Sequence, residues 1–135
     1  MLERADVYCN LFVDANFDVE DLAFKLSKIF VASADKLGNI KTDLGEISIT
    51  KNDDYNDELK KDKEEGFLYY RFLLEVEPYV RLGEGNAIQF VSKILKYLWS
   101  EDYPATAACA YEDALPNKGK LIPENHSWNE YYIWK

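Results

Sequence analysis

The sequence is poor in the residues that build metal and cofactor sites. Its 135 residues include one histidine (His126), one methionine (Met1) and two cysteines, Cys9 and Cys109. A single imidazole excludes histidine-based zinc sites, and cysteines 100 residues apart form neither a CxxC redox pair nor a zinc knuckle. Nucleophile-elbow, Walker-loop and GxGxxG motifs are also missing. We therefore assign no catalytic residue, no metal ligand and no cofactor.

Positive charge and long apolar runs are scarce as well. The chain has 25 acidic and 16 basic residues, a net charge of −9, and only three of the bases are arginines. Binding to phosphate needs concentrated positive charge, so the composition excludes general nucleic-acid binding and disfavours anionic membranes. No apolar run approaches the ~20 residues that cross a bilayer. The charged N-terminal residues do not resemble a secretory signal. We expect a soluble protein of the reducing cytoplasm.

What the chain does contain is a large apolar fraction. Hydrophobic residues make up 47% and aromatic residues 15% of the sequence, which argues against intrinsic disorder. The length suits one self-sufficient core. We predict a single domain over residues 1–135, in which residues 116–135 form a C-terminal extension that packs on the rest.

The periodicity of apolar residues predicts an α+β fold. Alternation with period two indicates strands over residues 5–14, 40–51, 67–77 and 105–111, with a possible bend at Gly45 in the second. Helical spacing indicates helices that begin after Asp18 and after Asn86 and end near Ser33 and Ser100. The order β-α-β-β-α-β is that of the ferredoxin-like split βαβ plan, an antiparallel sheet with both helices on one face.

In that plan the first and third strands are central and the fourth pairs with the first. Cys9 and Cys109 then lie on neighbouring strands, which permits a contact without implying a functional disulfide. The alternative is another α+β sandwich whose last strand comes from residues 131–134.

A charged segment separates the second and third predicted strands. Ten of the fourteen residues 52–65 are charged, and residues 46–85 together carry a net charge of −5. The acidic residues lack the glycine and the final glutamate of an EF-hand loop, so a calcium site is not indicated. We predict a solvated loop or a short exposed helical turn.

Aromatic and acidic residues alternate with the apolar ones along the predicted strands. On the face that the helices leave open, strand one carries Tyr8 and Phe12, and strand three carries Tyr69, Arg71, Glu75 and Glu77. Aromatic anchors and acids suit a cationic protein partner. Four aromatic residues near the C-terminus complete the set of candidate partner-binding residues: Trp128, Tyr131, Tyr132 and Trp134. The alternative is that this C-terminal segment folds over the open face and covers it.

The segment Tyr111-Glu112-Asp113-Ala114-Leu115-Pro116 ends the fourth predicted strand with an acidic pair, followed by Leu-Pro and an Asn/Gly turn. In a small acidic α+β protein, this pattern resembles the immunity-type proteins that bacteria encode beside toxins. The resemblance covers most of the chain in size and acidity and carries no residue assignments. It implies a cytoplasmic protein that blocks a basic toxin domain by presenting acidic and aromatic side chains.

Three classes of function remain open at this point. The first is a protein-binding module, such as an immunity or antitoxin-like inhibitor of a basic partner. The second is a small-molecule sensor or carrier with a closed apolar pocket between the sheet and the aromatic extension. The third is an enzyme that uses Glu75, Glu77, Tyr69 or Glu112 as acids and bases, which needs pKa values near neutrality. The missing catalytic motifs place binding first, and a homodimer is compatible with all three.

Overall fold

Residues 1–126 are described by the computed structural model, and they form an antiparallel sheet of seven strands with three α-helices. The helices are α1 (Arg4–Val7), α2 (Val19–Ile29) and α3 (Gly83–Ser100). The strands are β1 (Cys9–Val13), β2 (Ser33–Ala34), β3 (Asn39–Lys41), β4 (Gly45–Lys51), β5 (Phe72–Pro78), β6 (Ala105–Ala108) and β7 (Lys120–Leu121). The α+β class is confirmed. The alternative last strand over residues 131–134 lies outside the described residues.

The order of strands in the sheet is β2-β3-β4-β5-β1-β6-β7. As predicted, β1 pairs with both β5 and β6, the counterparts of the third and fourth predicted strands. The seven-stranded order nevertheless differs from the four-stranded order of the ferredoxin-like plan. The short strands β2 and β7 form the two edges, and two residues are too few for alternation to reveal a strand.

The predicted second strand, residues 40–51, is in fact a hairpin made of β3 and β4. The hydroxyl of Thr42 accepts hydrogen bonds from the amides of Leu44 (3.0 Å) and Gly45 (3.1 Å) and donates to the Gly45 carbonyl (2.8 Å). A Cβ at Gly45 would lie 2.6 Å from the carbonyl oxygen of Glu77 and 2.7 Å from the ring of Phe90. Gly45 therefore lets β4 approach β5 and α3 closely, and the chain turns before it instead of bending at it.

Four other predicted boundaries also move, the first of which is the end of β6 at Ala108, three residues before the predicted end at residue 111. β1 starts at Cys9 instead of residue 5, because Arg4–Val7 is a helical turn with a capping box between Glu3 and Asp6. β5 starts at Phe72 because Gly66–Tyr69 is a 3₁₀ turn. α2 ends at Ile29, four residues before the predicted end.

The two predicted helix caps have opposite outcomes. Asp18 is confirmed as the N-cap of α2, since its carboxylate accepts from the amide of Asp21 at 2.9 Å. Asn86 is not a cap, because α3 begins at Gly83. The side chain of Asn86 instead donates to the carbonyl of Leu44 at 3.1 Å and ties α3 to the β3–β4 hairpin.

The core lies between the sheet and the two long helices. Alternate residues of the central strands are buried against them, including Leu11 on β1 and Leu74 on β5, which face each other across the ladder. The rings of Phe30, just after α2, and Phe90 on α3 meet edge to face at 5.1 Å and join the two helices. The other alternation of each strand therefore faces away from the helices.

The charged segment contains a short helical turn and is mostly exposed, as one of the two predicted alternatives has it, but it is not wholly solvated. Residues 52–71, here called the charged lobe, contain 3₁₀ turns at Leu59–Lys61 and Gly66–Tyr69 and pack on the open face of the sheet. Lys60 is fully buried. The ring of Phe67 meets Phe12 of β1 edge to face at 5.4 Å. The lobe thus covers one end of the face that the helices leave free.

Candidate functional site

The ladder register arranges the open face in rows that cross the strands. The first row is charged and contains Lys41, Glu46 and Glu77. The second row is polar and contains Asn39, Ser48, Glu75 and Asn10. The third row is more apolar and contains Thr50, Leu73, Phe12 and Thr106. The charged lobe lies over the third row through the Phe12–Phe67 contact, which leaves the first two rows open.

A cavity of about 460 Å³ lies over the first two rows. Ile40 and Ile47 form part of its floor, and the other eight lining residues are polar or charged. We call it the acidic groove: Tyr8, Asp35, Asn39, Lys41, Glu46, Ser48, Glu75 and Glu77. Cavities that hold small ligands are typically about 300–1,000 Å³ and mostly apolar. The groove has the size of a ligand site and the polarity of an interface for a charged partner.

Two glutamates of the groove face each other directly. Glu46 on β4 is the register partner of Glu77 on β5, and like charges at such positions destabilise a sheet by up to about 1 kcal/mol. Positive charge offsets the repulsion between the two glutamates in part. Arg4 Nε donates to Glu77 Oε1 at 2.7 Å, and Lys41 lies opposite Glu46. The Arg4–Glu77 pair is exposed, so it contributes about 1 kcal/mol or less.

Glu75 lies at the centre of the groove between uncharged neighbours. Its register partners are Ser48 on β4 and Asn10 on β1, and its side chain is exposed. Tyr8 lines the groove beside Glu75. Desolvation and the charge of Glu75 raise the pKa of Tyr8 to about 12, so the phenol stays protonated near neutral pH and does not act as a general base there.

Asp35 forms the rim of the groove on the side of β2. Its carboxylate accepts from the amides of Leu37 and Asn39, each at 2.9 Å, and from the Asn39 side chain at 3.1 Å. The hydrogen bonds from Asn39 lower the pKa of Asp35 below its usual value. Asp35 therefore adds a negative charge that persists into the acidic range.

The structure brings together only part of the predicted partner-binding set. Tyr8, Glu75 and Glu77 line the acidic groove. Phe12 lies beneath the charged lobe, and Tyr69 belongs to a 3₁₀ turn of that lobe instead of a strand. The four C-terminal positions, Trp128, Tyr131, Tyr132 and Trp134, lie outside the described residues.

Arg71 is not a groove residue either. Its guanidinium stacks on the ring of Tyr55 at 4.7 Å and donates to the Tyr55 hydroxyl at 3.0 Å. Its backbone amide donates to Asp14 Oδ1 at 2.8 Å. Arg71 is therefore part of the charged lobe, and the predicted continuous surface is divided into a half that the lobe covers and an open half that contains Glu75.

Under the lobe lies a buried charge pair that sequence patterns did not reveal. Lys60 Nζ is 3.1 Å from Asp14 Oδ2 and 3.2 Å from Asp57 Oδ1, and both Lys60 and Asp14 are fully buried. Burial raises the pKa of Asp14, while Lys60 and the Arg71 amide oppose that shift. Nothing in the composition of the lobe distinguishes Lys60 from its neighbours Lys61 and Lys63, so pattern alone had no signal for this pair.

Within residues 1–126, no helix is long and apolar enough to cross a membrane. In the same range, no three side chains of the His, Cys, Asp and Glu types gather closely enough to hold a metal ion. Comparison of the chain with protein-family models, with curated proteins and with solved structures found no match.

Proposed function

We propose that this chain is a protein-binding module whose acidic groove holds a basic, extended segment of a partner protein, in the manner of an immunity or antitoxin-like inhibitor. The observation that carries the proposal is the direct opposition of Glu46 and Glu77, with Glu75 in the next row, on an open sheet face. A fold that needed this face only for solubility has no reason to place like charges opposite each other.

The charges of the groove favour a cationic partner. Among the described residues, four carboxylates and two cations line the groove or pair with it: Asp35, Glu46, Glu75, Glu77, Lys41 and Arg4. A cation 4 Å from a carboxylate gains about 1 kcal/mol in water and about 4 kcal/mol at the lower effective dielectric of a covered surface. The excess of negative charge therefore favours a partner that covers the groove and brings cations with it, and it also speeds the encounter.

The spacing of the glutamates favours an extended partner segment. Glu75 and Glu77 are two residues apart on one strand, so their side chains emerge on the same face about 7 Å apart. Alternate side chains of an extended partner have the same repeat. A segment with the pattern Lys-x-Lys or Arg-x-Arg, aligned with β5, places one cation on each glutamate.

A small polycation is the second candidate occupant. The volume of the groove, about 460 Å³, supports it, because that volume suits a linear polyamine. This occupant corresponds to a sensor or carrier function and needs no partner protein.

We also propose that the scaffold is an elaborated ferredoxin-like core. The four strands β4, β5, β1 and β6 are consecutive in the sheet, with α2 between β1 and β4 and α3 between β5 and β6 along the chain. This is the connectivity of a split βαβ unit. In this interpretation β2, β3 and β7 are additions at the two edges.

The binding proposal is tested by titrating the full chain with a fluorescent peptide that carries alternating lysines, with an alternating glutamate peptide as a blank. We expect binding that weakens as salt rises. The double variant E46Q/E75Q should weaken it at least about tenfold, the equivalent of ~1.4 kcal/mol. The control D53N/E58Q removes the same charge from exposed positions of the lobe and should leave the affinity nearly unchanged.

The same titration separates the alternatives. If the two double variants lose the same affinity for the lysine peptide, net charge alone drives binding. That result overturns the groove as the binding site. Binding of spermine that E46Q/E75Q abolishes, without any binding of the lysine peptide, favours the small-ligand function. For a natural partner, the basic product of an adjacent gene is the first protein to test, and it should form a complex that E46Q/E75Q weakens.

A further inference from the structure

The β1–β6 ladder brings the two cysteines face to face. Its register ends with Asn10 paired to Ala108, and the same register continued by one residue sets Cys109, the residue after β6, opposite Cys9. The Asp14 amide donates to the Pro104 carbonyl at 3.0 Å, which makes that pair a hydrogen-bonded one. Since pair types alternate along an antiparallel ladder, the cysteines form a non-hydrogen-bonded pair, in which Cα atoms lie about 4.5 Å apart.

That separation falls within the range of about 4.4–6.8 Å over which disulfides form. Opposed residues of a ladder also point to the same side of the sheet. Both cysteines are free thiols, the Cys9 thiol donates to the carbonyl of Asn10 at 3.6 Å, and the two thiols are close enough for each to shift the pKa of the other. The register therefore sets the two sulfur atoms within reach of a disulfide between β1 and the end of β6.

The two thiols differ in their access to solvent. Cys9 is fully buried, whereas Cys109 is partly exposed just beyond the end of β6. The hydrogen bond from Cys9, supported by the backbone of Tyr111, lowers the pKa of Cys109. The corresponding bond and burial raise the pKa of Cys9. The accessible sulfur is thus the one that ionises more readily, and the protected sulfur lies behind it.

We propose that Cys9 and Cys109 are a redox site, in which a peroxide converts the two thiols into a disulfide between β1 and β6. The Cys109 thiolate attacks one peroxide oxygen, the O–O bond breaks, and Cys109 becomes a sulfenic acid while the other oxygen leaves as water after taking up a proton. The Cys9 sulfur then displaces the sulfenic oxygen as a second molecule of water. In total, two thiols and one hydrogen peroxide give one disulfide and two waters.

The disulfide has a structural consequence beyond the two residues. It closes a loop that runs from the first sheet strand to the end of β6 and so contains the acidic groove and the charged lobe. Cross-links of loops this long restrict the unfolded chain most. We expect oxidation to raise the melting temperature by on the order of 10 °C. This redox site is independent of the binding proposed above.

The test uses the reduced full chain and hydrogen peroxide as the oxidant. Peptide mapping without reductant should show the Cys9 and Cys109 peptides linked to each other, with the loss of two hydrogens and both thiols, and a reductant should restore them. In C9S, the same treatment should stop at a sulfenic acid on Cys109 that dimedone traps. In C109S, the buried Cys9 should stay reduced under conditions that consume both wild-type thiols.

Two results would overturn the proposal. One is wild-type protein in which peroxide takes Cys109 to sulfinic acid, or links it to a second chain, while Cys9 remains a thiol. The other is a glutathione redox buffer series in which both thiols stay reduced even at its most oxidising end. The wild-type measurements decide the question without either variant, so a variant that fails to fold leaves the test intact.

Discussion

The buried pair of Lys60 and Asp14 predicts that truncation of Lys60 is among the most damaging single changes in the charged lobe. At an Nζ–Oδ2 distance of 3.1 Å, the Coulomb attraction is about 5 kcal/mol at an effective dielectric of 20. Much of this is offset by the desolvation of both charges. What remains decisive is that K60M leaves the Asp14 carboxylate buried without its main cation.

We expect K60M to lower the free energy of unfolding by about 3–5 kcal/mol, the usual cost of breaking a buried pair from one side. D14N should lower the free energy of unfolding by less than K60M does. In D14N, Lys60 keeps its contact with Asp57 at 3.2 Å, and the side-chain oxygen of the introduced asparagine can still accept from the Arg71 amide. The double variant D14N/K60M should be more stable than K60M alone, since it removes the orphaned charge.

Urea unfolding followed by circular dichroism measures all four proteins of this cycle. K63M is the matched control, because Lys63 is an exposed lysine of the same lobe. Acidic pH provides a second readout. Burial raises the folded-state pKa of Asp14, and loss of Lys60 raises it further. The contribution of Asp14 to the stability of K60M, measured as the difference from D14N/K60M, should therefore be greatest below the unfolded pKa and fall as pH rises through the folded one.

If K60M loses no more stability than K63M, within about 0.5 kcal/mol, the buried pair does not stabilise the lobe. The interaction is also disproved if D14N/K60M is as unstable as the sum of its two single variants, since independent losses would mean that the two side chains do not interact.

Three further changes test other parts of the fold. V31G should raise the free energy of unfolding by about 0.5–1 kcal/mol, because the exposed Val31 holds the left-handed position after α2 (φ 51°) that glycine adopts without a Cβ clash; a loss of stability would contradict this. D18A should lower it by about 1 kcal/mol in the same urea assay, with D21A, which keeps the cap, as a milder control. The difference in phenolate absorbance between wild type and Y8F should titrate near pH 12. The contribution of Tyr8 to the free energy of unfolding should fall as pH rises from its ordinary pKa of 10.0 towards 12. A titration midpoint near 10 would place Tyr8 in open solvent.

The parts of the fold that were predictable are those with strong periodicity. Alternation in β1 and β5 identified the buried residues correctly, because one face of each strand packs under helices and the other does not. Helical spacing found α2 and α3, with α3 ending at Ser100 as predicted. These signals are local, since each depends only on which side of its own element is buried.

The charged lobe was not predictable by the same means. Its role depends on one lysine that meets Asp14, 46 residues earlier, and on one ring, Phe67, that meets Phe12. Neither contact changes the composition of residues 52–65, which remains that of a solvated segment. For the same reason, the alternation that placed Phe12 and Glu75 on one face was right about direction, but it could not show that the lobe covers Phe12.

The chemistry of the three rows explains why the lobe stops where it does. Phe67 can cover the third row because Phe12 and Leu73 gain from losing water. An apolar cover over Glu46, Glu75 and Glu77 would have to desolvate three carboxylates, at a cost of several kcal/mol each unless cations pair with them. Whatever closes the groove must therefore bring positive charge, and the buried cation of the lobe, Lys60, is already paired with Asp14. The same physics that folds the lobe over one half of the sheet leaves the other half uncovered, which is the surface to which we propose that a cationic partner binds.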